Sequence, residues 1–398
     1  MILGGIPLKT QTNSRLFIKY ILLGAVSALA LYIRYLGRNA LSADFQNCLD
    51  SWYQEIVGAG PGIDSLLAYT GDYAIPYAFL IWLLSKLPIP FLYSVKMVNV
   101  VFDYGLAFLV GLITRYFKPE NKNMFCWGYC VTLLLPNVFM NSSFWGQCDV
   151  IYTFFLLAAL LCCLQKKYLP MMLLLGLAFS FKLQAIFLLP FILIIYWLKK
   201  EFSILWFLLI PVTMLVMNIP AMIAGYSPMI TFSQYFRQAT GYPWLYYFYP
   251  NLYLFFQARP YYLFSSSAVL LTMGALLIFV VLLIKKNIVL DRDNLLPILL
   301  WTAYTCVFLL PSMHERYGYF PEIVAVIIGL VNIRRSWIAC GMILCVIPKY
   351  LYAVNLAGNP MSMQVVTALG NTLIYLAFTC TLWYQLFQQE RRTTHVES

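Results

Sequence analysis

Nine polar side chains have the types and spacing to work on one substrate: Asp44, Asp72, Gln147, Asp149, Lys182, Gln184, His314, Glu315 and Arg316. All stand near the ends of apolar runs. Asp44 follows the first run by a few residues, and its carboxylate is suited to take a proton from a hydroxyl nucleophile. Lys182 closes a short apolar run and suits an anionic leaving group or a lipid phosphate. Arg316, in His314-Glu315-Arg316, has the planar fork that grips phosphate through two parallel bonds. In Trp145-Gly146-Gln147-Cys148-Asp149 the glycine permits a tight turn, which would aim Gln147 and Asp149 at sugar hydroxyls.

Each of these residues also has a structural reading. Asp44, Asp72 and Asp149 precede helices and make good caps. Lys182 can snorkel to the surface. Glu315 and Arg316 can pair with each other. Asp50 and Glu55 fit a solvated helix face. Asn141-Ser142-Ser143 matches a glycosylation sequon, and its place at the edge of an apolar run argues against use. Lys96 and Asp103 share one helix face and read as structural charges, each paired with a neighbouring helix.

The elements that must position these groups are membrane helices. Of the 398 residues, 62% are hydrophobic and only 10% charged, with mean hydropathy +0.78. A soluble domain carries roughly 25% charged residues. Apolar runs of about 20 residues recur along the chain, the mark of an all-α polytopic membrane protein. The net charge of +11 comes from basic residues in short connecting loops. It therefore reads as topology control by the positive-inside rule, with no nucleic-acid partner. The ten cysteines have neither disulfide nor zinc spacing.

Lys9, Arg15 and Lys19 hold the N-terminus inside, and the first apolar run, 16–35, reads as a retained helix and not a cleaved signal. The longest polar interruption, 42–73, is then outside, with five of the fifteen acidic residues: Asp44, Asp50, Glu55, Asp64 and Asp72. The apolar segment 73–87 is short for a span and reads as a helix along or dipping into the outer face. A second long outer loop, 225–260, is dense in Tyr, Trp and Pro. The reading is about twelve spans, both termini inside, and one domain over 1–398: a module at 16–224, the loop 225–260, and helices over 261–388.

In order, the chain holds an acidic residue in the first outer loop, Gly71-Asp72-Tyr73-x-x-Pro76, the Gly146-Gln147 turn, Phe181-Lys182-Leu183-Gln184, Tyr249-Pro250-Asn251 and Leu310-Pro311-x-Met313-His314-Glu315-Arg316-Tyr317. In this it resembles the polytopic GT-C glycosyltransferases, most of all bacterial mannosyltransferases of the GPI-anchor type. It is similar, more distantly, to the endoplasmic-reticulum glucosyltransferases that extend lipid-linked oligosaccharide. The resemblance implies Asp44 as catalytic base, juxtamembrane helices in the first outer loop, and a second outer loop that covers the donor. It implies that Lys182 and His314-Glu315-Arg316 contact the donor phosphate. Asp72, Gln147, Asp149 and Gln184 complete the expected substrate-binding set. Many relatives carry two adjacent acidic residues where this chain has Asp44-Phe45, so metal dependence is not carried over and no cofactor is expected.

The expected activity is inverting transfer of a hexose, with mannose one candidate, from a polyprenyl-phosphate donor. The acceptor would be a cell-envelope glycan or lipid-linked glycan, at the outer face of a bacterial plasma membrane. A transporter or flippase of lipid-linked sugars is the first alternative, and would show an inverted repeat and midplane polar groups. A polymerase of lipid-linked repeat units is the second, and would show arginine-rich outer loops, where this chain has mainly Arg237 and Arg259.

Overall fold

Apolar runs of about 20 residues form the long helices, and two runs are broken, one at Leu135-Pro136 and one at Asn218-Ile219-Pro220. The computed structural model describes residues 8–397, and no strand occurs among them. The side chains of Lys9, Arg15, Arg391 and Arg392 lie outside the described residues. The helices are α1 (Leu8–Leu36), α2 (Asp50–Gly58), α3 (Ile75–Leu84), α4 (Phe91–Phe117), α5 (Met124–Leu134) and α6 (Pro136–Phe139). Then come α7 (Asp149–Leu164), α8 (Tyr168–Phe181), α9 (Leu189–Lys199), α10 (Leu209–Met217), α11 (Ile219–Ala224) and α12 (Ile230–Thr240). The last are α13 (Tyr261–Lys285), α14 (Leu295–Leu309), α15 (Tyr319–Val331), α16 (Ser336–Ala353) and α17 (Met361–Glu397).

Among the described residues, five helices are long and apolar enough to cross a membrane: those at Phe17–Asn39, Phe91–Phe117, Tyr261–Lys285, Ile333–Ala353 and Met361–Gln388. A sixth is reached if Met124–Leu134 and Pro136–Trp145, bent by 52°, count as one span. The bend sits at Pro136, which has no N–H to give the preceding turn. Seven further apolar helices run 10–17 residues. The chain is an all-helical integral membrane protein, and the length criterion gives fewer spans than the twelve runs counted in sequence.

The short helices have a common cause. All of α14 from Leu295 to Phe308 is buried, as are α15 from Tyr319 to Gly329 and most of α7. These inner helices stop where polar residues begin: α7 starts at Asp149, α8 ends before Lys182, and α15 starts three residues after Arg316. Backbone can leave helical geometry at membrane depth only where protein or a cavity surrounds it. The outer helices α1 and α13 instead expose large apolar side chains, such as Leu22 and Leu270.

The segment 73–87 contains only the ten-residue α3, about 15 Å of rise and half a hydrocarbon core. The apolar run 202–224 does not form one helix: it is broken between α10 and α11 at Asn218, before Pro220. Asp103 has its neighbouring-helix partner: Arg34 of α1 donates from Nε to its Oδ2 at 2.7 Å, with both side chains buried. Lys96 has no carboxylate within 4 Å among the described residues; its Nζ donates to the carbonyls of Gly37 (2.9 Å) and Ala40 (2.7 Å), a favourable place for a cation at a helix C-terminus. Glu55 is not merely solvated; it accepts both the Thr70 amide and hydroxyl, tying α2 to the loop before Asp72. Asn141, the sequon asparagine, is wholly buried.

Candidate functional site

The loop after α1 is fastened at both ends, which sets Asp44. Lys96 holds residues 37–40, and the Ser42 hydroxyl donates to the Trp145 carbonyl at 3.0 Å. Ser42 Oγ also accepts the Phe45 amide at 3.1 Å, so Ser42 makes the capping bond that sequence offered to Asp44. The Asp44 carboxylate is thereby left for other partners. Its Oδ2 accepts from Trp145 Nε1 (3.1 Å) and Gln147 Nε2 (2.9 Å) and lies 3.3 Å from Arg316 Nη1. Among the described residues no hydrogen bond reaches Oδ1, and the side chain is 38% exposed, in the lining of a cavity.

Gly146 makes this convergence possible. It sits at φ +81°, ending the turn Met140–Trp145 in left-handed geometry, which glycine adopts without a Cβ penalty. The chain folds back so that the Gln147 amide donates to the Asn141 carbonyl at 2.9 Å. Trp145 and Gln147 then face Asp44 together.

A closed ring of four side chains follows. Gln147 donates to Asp44 and accepts at Oε1 from the Tyr73 hydroxyl (2.9 Å). That hydroxyl accepts from Arg316 Nη2 at 3.3 Å, and Arg316 Nη1 returns to Asp44. Burial holds the Tyr73 phenol well above its usual range, so it keeps its proton. Arg316 is 6% exposed and lies over the Trp145 ring, 5.4 Å from its centroid. Its Nη1 is 3.5 Å from Glu315 Oε1, so the expected Glu315–Arg316 pair exists as one of three carboxylate contacts.

Asp149 departs from the expectation. It makes no capping bond and lines neither of the site's two cavities; it is fully buried as a shared counter-ion. Lys182 Nζ is 2.5 Å from its Oδ1, Asn141 Nδ2 donates to its Oδ2 at 3.0 Å, and Arg316 Nε is 3.6 Å from Oδ2. Lys182 does not snorkel. Its ammonium lies 5.3, 5.8 and 5.6 Å from the ring centroids of Tyr73, Tyr152 and Tyr317, a cation–π enclosure.

Two cavities meet here. The first, about 360 Å³, is lined by Asp44, Trp145, Gln147, His314, Glu315 and Arg316, and also by Tyr247 and Lys349. The second, about 810 Å³, is mainly apolar, with Ile186, Phe187, Phe236, Val269, Leu270 and Leu310 in its walls and Lys182 and Gln184 among its polar groups. Asp72, Tyr73 and Tyr242 line both. The second cavity opens toward the protein's apolar outside, where Leu270 is 68% exposed. The segment 225–260 covers both: α12 supplies Tyr235, Phe236 and Gln238, and the following loop supplies Tyr242, Tyr247 and Phe248. Gln234 and Gln238 of α12 stitch it to the 71–73 carbonyls.

Electrostatics divide the residues further. Burial pushes the Glu315 carboxyl up to about 7, against the pull of Arg316 and with a further push from Asp44. Burial, Arg316 and Lys182 hold the His314 imidazole well below its usual range. His314 is therefore neutral; it is packed by Tyr242, Tyr247 and Tyr317, and its Nε2 has no hydrogen-bond partner among the described residues. Among the described residues no group of three His, Cys, Asp or Glu side chains could hold a metal ion, and all ten cysteines are free.

Eight of the nine expected residues thus line one or both cavities, and Asp149 stands behind them. Tyr73, Trp145, Tyr242 and Lys349 were missed. Lys349 carried a readable signal, since an ionisable residue within an apolar run is a functional candidate by default. No known family model matches the chain, and no curated protein matches it.

Proposed function

We propose that the chain is a GT-C-type glycosyltransferase moving a hexose from a polyprenyl-phosphate donor to a glycan or glycolipid acceptor. The observation that carries the reading is the union of the two cavities. An apolar groove open to lipid ends at a buried ammonium, and beside it a polar chamber holds a carboxylate with one oxygen free. An isoprenoid chain suits the groove, and the donor phosphate suits the boundary between Lys182 and Arg316. The hexose then lies in the polar chamber, next to Asp44, against aromatic faces such as Trp145 and Tyr247.

The chemistry balances with residues of this chain. An acceptor hydroxyl attacks the anomeric carbon from the face opposite the phosphate. The bond from that carbon to the phosphate oxygen breaks, and polyprenyl phosphate leaves with the electron pair. Asp44 Oδ1 takes the hydroxyl proton. Charge growing on the departing phosphate is met by Arg316, held by Asp44, Asp149 and Glu315. Inversion at the anomeric carbon follows. About twelve crossings, with the site at the outer face of a bacterial plasma membrane, fit this reading.

The test pairs chemistry with cells. Purified protein in lipid nanodiscs is supplied with polyprenyl-phosphate hexoses, and envelope glycans are compared by mass spectrometry with and without the gene. A hexose missing from one glycan, and its transfer in vitro with inverted configuration, is the expected result. Unchanged glycans together with movement of the intact lipid-linked sugar across the bilayer would overturn the reading in favour of a flippase.

A further inference from the structure

Three cations in or beside the polar chamber are buried, and two of them have carboxylates at hand. Lys182 lies on Asp149, and Arg316 is within 4 Å of Asp44, Asp149 and Glu315. Lys349 is different. It is 1% exposed, it lines the polar cavity, and no carboxylate among the described residues lies within 4 Å of it. Its one hydrogen bond among the described residues goes from Nζ to the amide oxygen of Asn359, at 3.0 Å. An ammonium has three donors, and taking it out of water without a counter-ion costs several kcal/mol. Glu315 acts on it only from beyond ion-pair distance.

We infer that Lys349 and Asn359 form an anion subsite, and that the acceptor of this enzyme carries a phosphate or carboxylate group. The inference rests on the transferase reading above for the word acceptor, and on the chamber alone for the anion. Lys349 comes from α16 and Asp44 from the loop after α1, and both line the same chamber. A hydroxyl presented to Asp44 therefore leaves an acceptor's charged group within the reach of Lys349. The subsite is built and held: Gln364 Nε2 donates to the Asn359 carbonyl at 3.0 Å, and the Tyr246 hydroxyl donates to Gln364 Oε1 at 3.1 Å. The donor phosphate is not the counter-ion sought, because it already has Lys182 in the wall of the apolar cavity and Arg316 in the wall of the polar one, both beside Asp149.

Asn359→Asp is the sharpest variant. It keeps shape and places a carboxylate on Lys349, filling the subsite from within. The probes are soluble: a hexose 6-phosphate, a hexuronate and the matching neutral hexose, each titrated calorimetrically into the full chain in nanodiscs. Expected is binding of one or both anionic sugars, weakened at least tenfold by Asn359→Asp and by Lys349→Met, and kept within about threefold by Lys349→Arg. The sugar that binds tells phosphate from carboxylate. In transfer assays, kcat/KM for anionic acceptors should fall at least ten times further than for a neutral one in Asn359→Asp, with donor KM kept. Anion binding unchanged in Asn359→Asp would overturn the subsite, as would a loss expressed in donor KM. Sugar-anion binding that responds to these variants in a chain that transfers nothing would keep the subsite and sink the transferase reading.

Discussion

Tyr242 donates a 2.6 Å hydrogen bond to Asp72 Oδ2, and these two side chains stand in the wall shared by the polar and the apolar cavity. Tyr242 belongs to the second long loop and Asp72 to the first, so this bond joins the two covers of the site through side chains, beside the bonds of Gln234 and Gln238 to the 71–73 carbonyls. Burial and the nearby Asp72 charge both raise the Tyr242 phenol above its usual range, so it stays a donor at any physiological pH.

Tyr242→Phe removes that bond and nothing else of size. A lost bond to a charged group is worth about 1.5–3 kcal/mol, on the order of ten- to a hundredfold. The loss should appear in donor KM, because the wall shapes the passage from groove to chamber, with kcat changed less. Donor saturation curves for the two proteins check this; an unchanged KM would separate the wall from donor binding.

Asp44→Asn keeps an oxygen for Trp145 Nε1 and Gln147 Nε2 but cannot take a proton. Turnover should fall about 10²- to 10⁴-fold, the usual worth of a general base, with donor affinity retained. Asp72→Asn still accepts from Tyr242 and should cost less than about tenfold. The opposite ranking, measured by single-turnover transfer, would move the proton acceptor to Asp72.

Arg316→Lys retains charge and loses the fork. The ring through Asp44, Gln147 and Tyr73 uses two separate guanidinium nitrogens, and an ammonium cannot span both. Transfer should drop about ten- to a hundredfold. Wild-type rates in this variant would remove Arg316 from the reacting phosphate and leave Lys182 as its ligand.

Glu315 makes stability depend on pH. Its carboxyl titrates near 7 in the folded chain against an ordinary 4.5. Between those values the folded state holds more protons than the unfolded one, so stability falls as pH rises through the window and levels off above about 7. Glu315→Gln should flatten that slope. Thermal midpoints in detergent, taken at intervals from pH 4.5 to 8, measure it; an identical slope in both proteins would assign the titration elsewhere.

Away from the site, Arg34 and Asp103 form a buried pair to which Ser142 adds a 2.6 Å bond. Removing one partner strands a charge, at about 3–5 kcal/mol. Arg34→Met or Asp103→Leu alone should therefore unfold at markedly lower temperature. The double variant should recover much of the loss, because replacing both charges leaves none unpaired. Additive losses in the double-mutant cycle would show that the two residues act separately.

Much of this protein is local and therefore legible in sequence. A run of apolar residues carries its transfer free energy residue by residue, so the run between Pro90 and Lys118 becomes one helix, Phe91–Phe117. Helix ends are local too: Gly146, Pro136 and Pro90 act on their own turn. That Asp44, Gln147 and Arg316 stand at helix ends is visible from the chain alone. Which of them touch is not. Lys182 meets Asp149 across 33 positions and Arg34 meets Asp103 across 69, and both depend on how each helix is rotated about its axis. Rotation is decided by the packing of whole faces, a sum of many small contacts that no motif encodes. Hence Asp149 was expected in the cavity and lies behind it, and Lys349, hidden in an apolar run, faces the chamber. The residue types that make a site possible were written in the sequence; which carboxylate oxygen faces the chamber and which cation has no carboxylate beside it among the described residues was decided only when the helices closed around them.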